Sequence, residues 1–185
     1  MSWGTIFLDF DNDGLLDILG AEGDLYHADS TEVIMQDLPI DFLRQTSSSS
    51  GTRFERVNER FGLIQLGSWR TVIAMDHNGD GVLDPLITDV EDRPLLFMSQ
   101  GCTVNSWVEI IGQVGTRIEI EAGGVTQYAA IQSHSSFGGS HSPMAHIGLG
   151  RNKTIDRLIL TSPNGEVYEA TTPIEARRRI SFISN

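Results

Sequence analysis

Two nine-residue stretches limit what this chain can fold into more than anything else in it. "DFDNDGLLD" runs from Asp9 to Asp17 and "DHNGDGVLD" from Asp76 to Asp84, and both follow D-x-[DN]-x-D-G-x-x-D. Apolar, strand-like sequence stands on either side of each one. In the first stretch Asp9, Asp11, Asp13 and Asp17 crowd into a single turn. Two carboxylates about 4 Å apart repel by roughly 4 kcal/mol at an effective dielectric near 20. A cation is expected to remove that repulsion.

The spacing says which cation. Alternate positions 1, 3 and 5 turn their oxygens toward one centre, the backbone carbonyl of position 7 joins them, and position 9 returns a carboxylate. Glycine at position 6, Gly14 or Gly81, permits the sharp turn around the ion. Six or seven hard oxygens at about 2.3–2.6 Å suit Ca2+, whereas magnesium prefers a smaller octahedron and keeps more water. The expected ligands are Asp9, Asp11, Asp13, Leu15 (through its carbonyl) and Asp17 in the first loop. In the second they are Asp76, Asn78, Asp80, Val82 (through its carbonyl) and Asp84. Asn12 and His77, at intervening positions, are expected to point away. The second loop is expected to be weaker, because Asn78 replaces a carboxylate and Gly79 adds flexibility. An EF-hand is excluded, since its position-12 glutamate would fall on Gly20 and Ile87, and its flanks would be helices.

The rest of the chain reads as β. "TIFLDF", "TVIAMD", "SWVEIIG", "RIEIEA", "RLILTS" and "RISFIS" are short, rich in β-branched and aromatic residues, and bounded by Gly, Asn, Asp or Pro. Hairpins are expected at Gly123–Gly124 and at Asn164–Gly165, where the turns need positive φ. "LPIDFLRQ" is expected to form one or two helical turns at most, and "RQTSSSSGTRF" a flexible loop. The segment "WGTIFLDFDNDGLLDIL" recurs as "WRTVIAMDHNGDGVLDPLI", with Asp9 and Asp76 67 residues apart. That period fits a four-stranded unit with long connections, as in a propeller blade. Composition changes near residues 99–107, which places a boundary between residues 1–103 and 104–185.

Charge and cysteine content narrow the function. With 25 acidic against 13 basic residues the formal charge is −12, which argues against a nucleic-acid partner, whose phosphates need a basic face. Cys102 is the only cysteine, so neither a disulfide framework nor a thiolate metal cage is available. No stretch is long and apolar enough for a membrane span. No signal peptide precedes the first strand, so either the chain is intracellular or its true N-terminus lies upstream.

Several segments resemble known families. The two loops, each on a strand led by a Trp-containing segment, look like FG-GAP/VCBS repeats, the calcium-binding units of integrin-type β-propellers. "FERVNERFGL" (54–63) resembles their connector "F-x-x-V-T-x-x-x-G-L", with Asn58 where Thr is usual. Downstream, "SWVEIIGQVGTRIEIEAGGVTQYAAI" and "SHSPMAHIGLGRNKTIDRLILTSPNG" resemble the ASPIC/UnbV domain. That domain carries "G-A-x-V", a Gly-Gly hairpin, "S-x-S-x-x-x-x-F-G-L-G" and "V-x-W-P-x-G". Thr116 and Ser162 depart from the pattern. The whole therefore resembles the C-terminal end of a cartilage-acidic-protein-like protein. The resemblance implies an all-β fold: incomplete β-propeller-like blades with calcium-binding hairpin loops, then a β-sandwich-like module. It also implies a secreted, longer parent, extracellular or periplasmic. Only about one and a half blade equivalents precede the module while closure needs about four or more, so the missing blades of a longer chain are an expected partner.

Calcium binding in service of recognition, with an extracellular protein or glycan as partner, is the function expected. Two rivals stand beside it: a polysaccharide-acting enzyme with structural calcium, and a purely structural fragment. The enzyme would need paired carboxylates outside the loops at glycosidase separation. His134, His141 and His146 lie among serines but lack a nucleophile elbow or "HExxH" context, so packing or hydrogen bonding is expected of them. "NKT" at Asn152 matches a glycosylation acceptor, and Arg177–Arg179 read as a local solvated cluster. Trp3, Trp69 and Trp107 each open a strand and are expected in the core.

Overall fold

The computed structural model describes residues 2–29, 32–48, 51–90, 93–101 and 103–182. The fold is all-β, in several separate sheets, none closed into a barrel. Among the described residues there is no α-helix, and no helix long and apolar enough to cross a membrane.

The N-terminal half opens with β1 (Ser2–Leu8) and β2 (Asp17–Glu22), an antiparallel pair whose connecting loop is the first acidic stretch. A hairpin of β3 (Asp24–Asp29) and β4 (Glu32–Gln36) follows, then β5 (Leu38–Pro39), β6 (Asp41–Ser48) and β7 (Gly51–Arg56). These give a four-stranded antiparallel sheet in the order β1-β2-β6-β7. A 3-10 turn at Glu59–Phe61 leads to β8 (Leu66–Gly67), which pairs with β5. The second sheet holds β9 (Trp69–Met75), β10 (Asp84–Asp89) and β11 (Leu95–Leu96), and the second acidic stretch joins β9 to β10.

Alternation decides how the two sheets meet. Along β1, Gly4, Ile6 and Leu8 are buried while Thr5 and Phe7 face out, the period-2 pattern of a half-buried strand. Ile6, Leu8, Leu19, Ala21 and Phe42 of the first sheet share a core with Trp69, Val72, Ala74 and Ile87 of the second. The strands come so close that a Cβ on Gly4 would lie 2.6 Å from the Arg70 carbonyl oxygen.

The C-terminal half adds β12 (Ser106–Ile111), β13 (Arg117–Ala122), β14 (Val125–Ala130), β15 (Gln132–Ser136) and the long β16 (Gly139–Gly150). It ends with β17 (Thr154–Ile155), β18 (Arg157–Thr161), β19 (Val167–Ala170), β20 (Ile174–Glu175) and β21 (Arg178–Ser181). One sheet runs β15-β16-β12-β21, with β21 parallel to β12, and the other runs β14-β13-β18-β19. Val108, Ile110, Ala145 and Ile147 of the first face Ile118, Ile120, Leu158 and Leu160 of the second in a separate core. Ile110 has no exposed surface and lies on β12, between β16 and β21. Ile110→Ala is expected to lower the free energy of unfolding by about 2–5 kcal/mol in a denaturant titration.

Both hairpin turns form where the sequence places them, with Gly123, Gly124 and Gly165 at positive φ. Two expectations need correction. "LPIDFLRQ" is strand: Ile40 and Phe42 are buried while Asp41 and Leu43 are less so, and that alternation suits a sheet. "RQTSSSSGTRF" is the end of a hairpin, with Ser47 paired to Thr52 and Ser48 to Gly51. Ser49, Ser50 and Cys102 lie outside the described residues.

Candidate metal centre

Each acidic loop is a strand-to-strand connection closed on its own carboxylates. Asp9 follows β1 directly and is 3% exposed; its Oδ1 accepts from the Asp13 N–H (3.0 Å) and its Oδ2 from the Gly14 N–H (2.8 Å). Asp13 Oδ1 accepts from the Leu15 N–H at 2.9 Å. In the second loop Asp76 accepts in the same way from Asp80 (3.1 Å) and Gly81 (3.0 Å), and Asp80 from Val82 (2.9 Å). The final aspartates match too. Asp17 accepts from the Phe10 N–H (3.2 Å) and from Gln45 on β6 (2.7 Å). Asp84 accepts from the His77 N–H (3.0 Å) and from Ser99 just beyond β11 (2.6 Å). Position 9 therefore ties each hairpin tip to the third strand of its sheet or its continuation.

The backbone explains the residue choice. Position 4 takes positive φ in both loops, 59° at Asn12 and 78° at Gly79, as does position 6, 90° at Gly14 and 85° at Gly81. Gly79 thus supplies a left-handed residue, the conformation that asparagine adopts more readily than other L-residues. Its reading as added flexibility is replaced by this requirement.

The loops differ in what their carboxylates gather. Asp9, Asp11 and Asp17 each place one oxygen within 4.8 Å of the others, the one such group of three among the described residues. Asp11 Oδ1 is buried without a hydrogen-bond partner. Asp13 stands aside: its Oδ2 and Asp11 Oδ2 both pair with Arg44 Nη2, at 3.2 and 2.6 Å. Leu15 is half-buried. In the second loop Asn78 Nδ2 donates to Asp80 Oδ2 (2.7 Å), and Ser99 Oγ donates to the same oxygen (3.1 Å). Asp76 and Asp80 are partly exposed, and Val82 and Asp84 are buried.

Electrostatics mark the first loop as strained in charge. Burial pushes the Asp9 carboxyl up to about 7, opposed by the Gly14 N–H and reinforced by Asp13, Asp11 and Asp17. Burial likewise raises Asp17 to about 6, against the Gln45 and Phe10 N–H groups, and raises Asp13. Three carboxylates in a desolvated turn hold protons more tightly than free carboxylates do, which is the environment a divalent cation relieves.

Asn12 points away from the carboxylates, but into the protein. It is fully buried; its Nδ2 donates to the Gly81 carbonyl (2.8 Å), and His146 Nε2 donates to its Oδ1 (2.8 Å). Burial lowers His146 to about 4, so its imidazole is neutral, with Nδ1 buried and unpartnered. His141 Nδ1 donates to the Ser142 carbonyl (2.7 Å), and the His134 side chain lies outside the described ones. Trp69 is 3% exposed, and Trp107 stacks on His146 with centroids 5.8 Å apart. Asn152 Nδ2 donates to the Leu149 carbonyl (2.8 Å). Each arginine of the C-terminal cluster is engaged: Arg177 on the Val104 and Asn105 carbonyls, Arg178 on Glu175, Arg179 on the buried Glu109.

Arg44, Gln45 and Ser99 stand at the loops and were missed by sequence reasoning, whereas His146 makes the hydrogen bond expected of it. Arg44 carries one signal, a cation in "IDFLRQ" available to balance a strongly acidic turn. The others act through backbone position or across the fold and leave no local mark. No curated protein matches the chain. Residues 112–184 match the family described as ASPIC and UnbV, to which this C-terminal part of the chain is similar.

Proposed function

We propose that this is a calcium-binding recognition protein of extracellular type, with an FG-GAP/VCBS-like, blade-like N-terminal half and an ASPIC/UnbV module. One observation carries the reading: Asp9, Asp11 and Asp17 converge within 4.8 Å, with Asp11 Oδ1 buried and unpartnered. Arg44 takes Asp11 Oδ2 and Asp13 Oδ2, which leaves the free Asp11 oxygen for an ion. The donors are all hard oxygens, which suits calcium. Asp9, Asp11, Asp17 and the Leu15 carbonyl would hold it, with Asp13 joining by releasing Arg44; the ion would supply positive charge and rigidity. The second loop, whose Asp80 is already hydrogen-bonded by Asn78 and Ser99, would be the weaker site. Phe7 on β1 and Leu16 within the first loop, 67% and 52% exposed, would belong to the surface presented to a protein or glycan.

Calorimetric titration of the full chain with calcium, and separately with magnesium, tests this. A strong calcium site that Asp17→Asn weakens by roughly tenfold or more, from the lost ligand charge, is expected. Equal heats for the two metals, or none for calcium, would sink the reading.

A further inference from the structure

The first loop is also held directly by residues 103–150. The Asp11 carbonyl accepts from Thr103 Oγ1 and Asn105 Nδ2, both at 2.9 Å. The Asn12 carbonyl accepts from the Gly150 N–H at 2.9 Å, and its side chain bridges the Gly81 carbonyl and His146. β16 runs so close that a Cβ on Gly148 would sit 2.0 Å from Asp9 Oδ2 and 2.6 Å from the Asn12 Cα. The Trp107 ring lies against Gly81, where a Cβ would meet its Nε1 at 1.7 Å. Loop one, loop two and the C-terminal module therefore meet at one buried asparagine.

We propose that calcium in the first loop and docking of the ASPIC/UnbV module are coupled through Asn12, His146 and the Gly148–Gly150 strand end. This rests on the calcium reading above and adds how that site is regulated. Asn12 lies between Asp11 and Asp13 in the chain, so a loop closed on its ion fixes the one conformation in which position 4 is left-handed and its amide reaches both His146 and Gly81. When the carboxylates are left to repel one another, the loop loosens and the module loses that anchor. The coupling is reciprocal, because whatever calcium adds to docking, docking adds to calcium affinity.

The test uses the full chain and two readouts. Calcium affinity is measured by calorimetry for the wild type and for His146→Ala, a residue remote from the carboxylates in sequence. Exchange of the Gly150 N–H is followed by NMR in calcium and in chelator, with the Ile120 N–H in the C-terminal core as reference. The expected results are a roughly 5- to 100-fold loss of affinity in the variant, and slower Gly150 exchange in calcium with Ile120 unchanged. If His146→Ala does not fold, Asn105→Ala, which removes a single donor to the Asp11 carbonyl, replaces it; the exchange measurement needs no variant. Equal affinities, or Gly150 exchange indifferent to calcium, overturns the coupling while the calcium reading stands. Absence of calcium binding in the wild type overturns both.

Discussion

In calcium at about a hundredfold above its dissociation constant, the chain is expected to melt roughly 5–10 °C higher than in chelator. Binding to the folded state alone at that excess contributes about 2.7 kcal/mol, and each kcal/mol moves the melting temperature of a chain this size by about 2–4 °C. The origin is local: Asp9 and Asp17 are 3% and 1% exposed and each brings one oxygen within 4.8 Å of one from Asp11, whose Oδ1 has no partner. Asp11→Asn separates the two contributions. Its carbonyl oxygen can keep the Arg44 contact while its amide nitrogen turns toward the neighbouring carboxylates, so repulsion in the metal-free loop falls. The variant should melt slightly higher than wild type in chelator and gain much less from calcium. A wild type that melts at the same temperature in both solutions would mean that the folded chain does not bind calcium.

What the sequence made legible follows from the range of the interactions involved. The two loops could be read because their chemistry is contained within nine residues: carboxylates at 1 and 9 accept from N–H groups inside the same turn, and glycine at 6 supplies the positive φ. The strands could be read where burial alternates, as at Ile118 and Ile120. The serine run could not, since Ser47 and Ser48 are held in their hairpin by pairing with Thr52 and Gly51 rather than by an apolar pattern of their own. Nor could the difference between the loops be read in full. Asn78 for a carboxylate is visible in the chain, but Arg44 beside Asp11 and Ser99 beside Asp80 depend on which strand lies next to which. Asn12 is the furthest case, since its partner His146 lies 134 residues away. Its left-handed backbone is locally intelligible, but its burial is a property of the assembled fold.

Calcium affinity should fall steeply with acidity, by roughly a hundredfold between about pH 7.5 and pH 5.5. The folded carboxyls of Asp9, at about 7, and Asp17, at about 6, both lie above the ordinary value of 3.8. In the metal-free chain such groups favour folding while protonated, so their contribution is complete below about pH 4 and is lost as pH rises through 6 and 7. Calcium binds the ionised forms, so its affinity runs the other way and reaches a plateau only above the Asp9 value. Below it, each proton displaced costs about tenfold per pH unit, first for Asp9 and then for Asp17 as well. Calorimetry in two buffers of different ionisation enthalpy at about pH 6.5 should register net proton release on calcium binding. The melting-temperature gap between calcium and chelator should widen across the same interval, because the metal-free fold weakens as the ionised loop gains affinity. A flat affinity across this range with no proton release would mean that Asp9 and Asp17 are already ionised, and that the loop's N–H groups and Arg44, rather than protons, balance the charge in the metal-free chain.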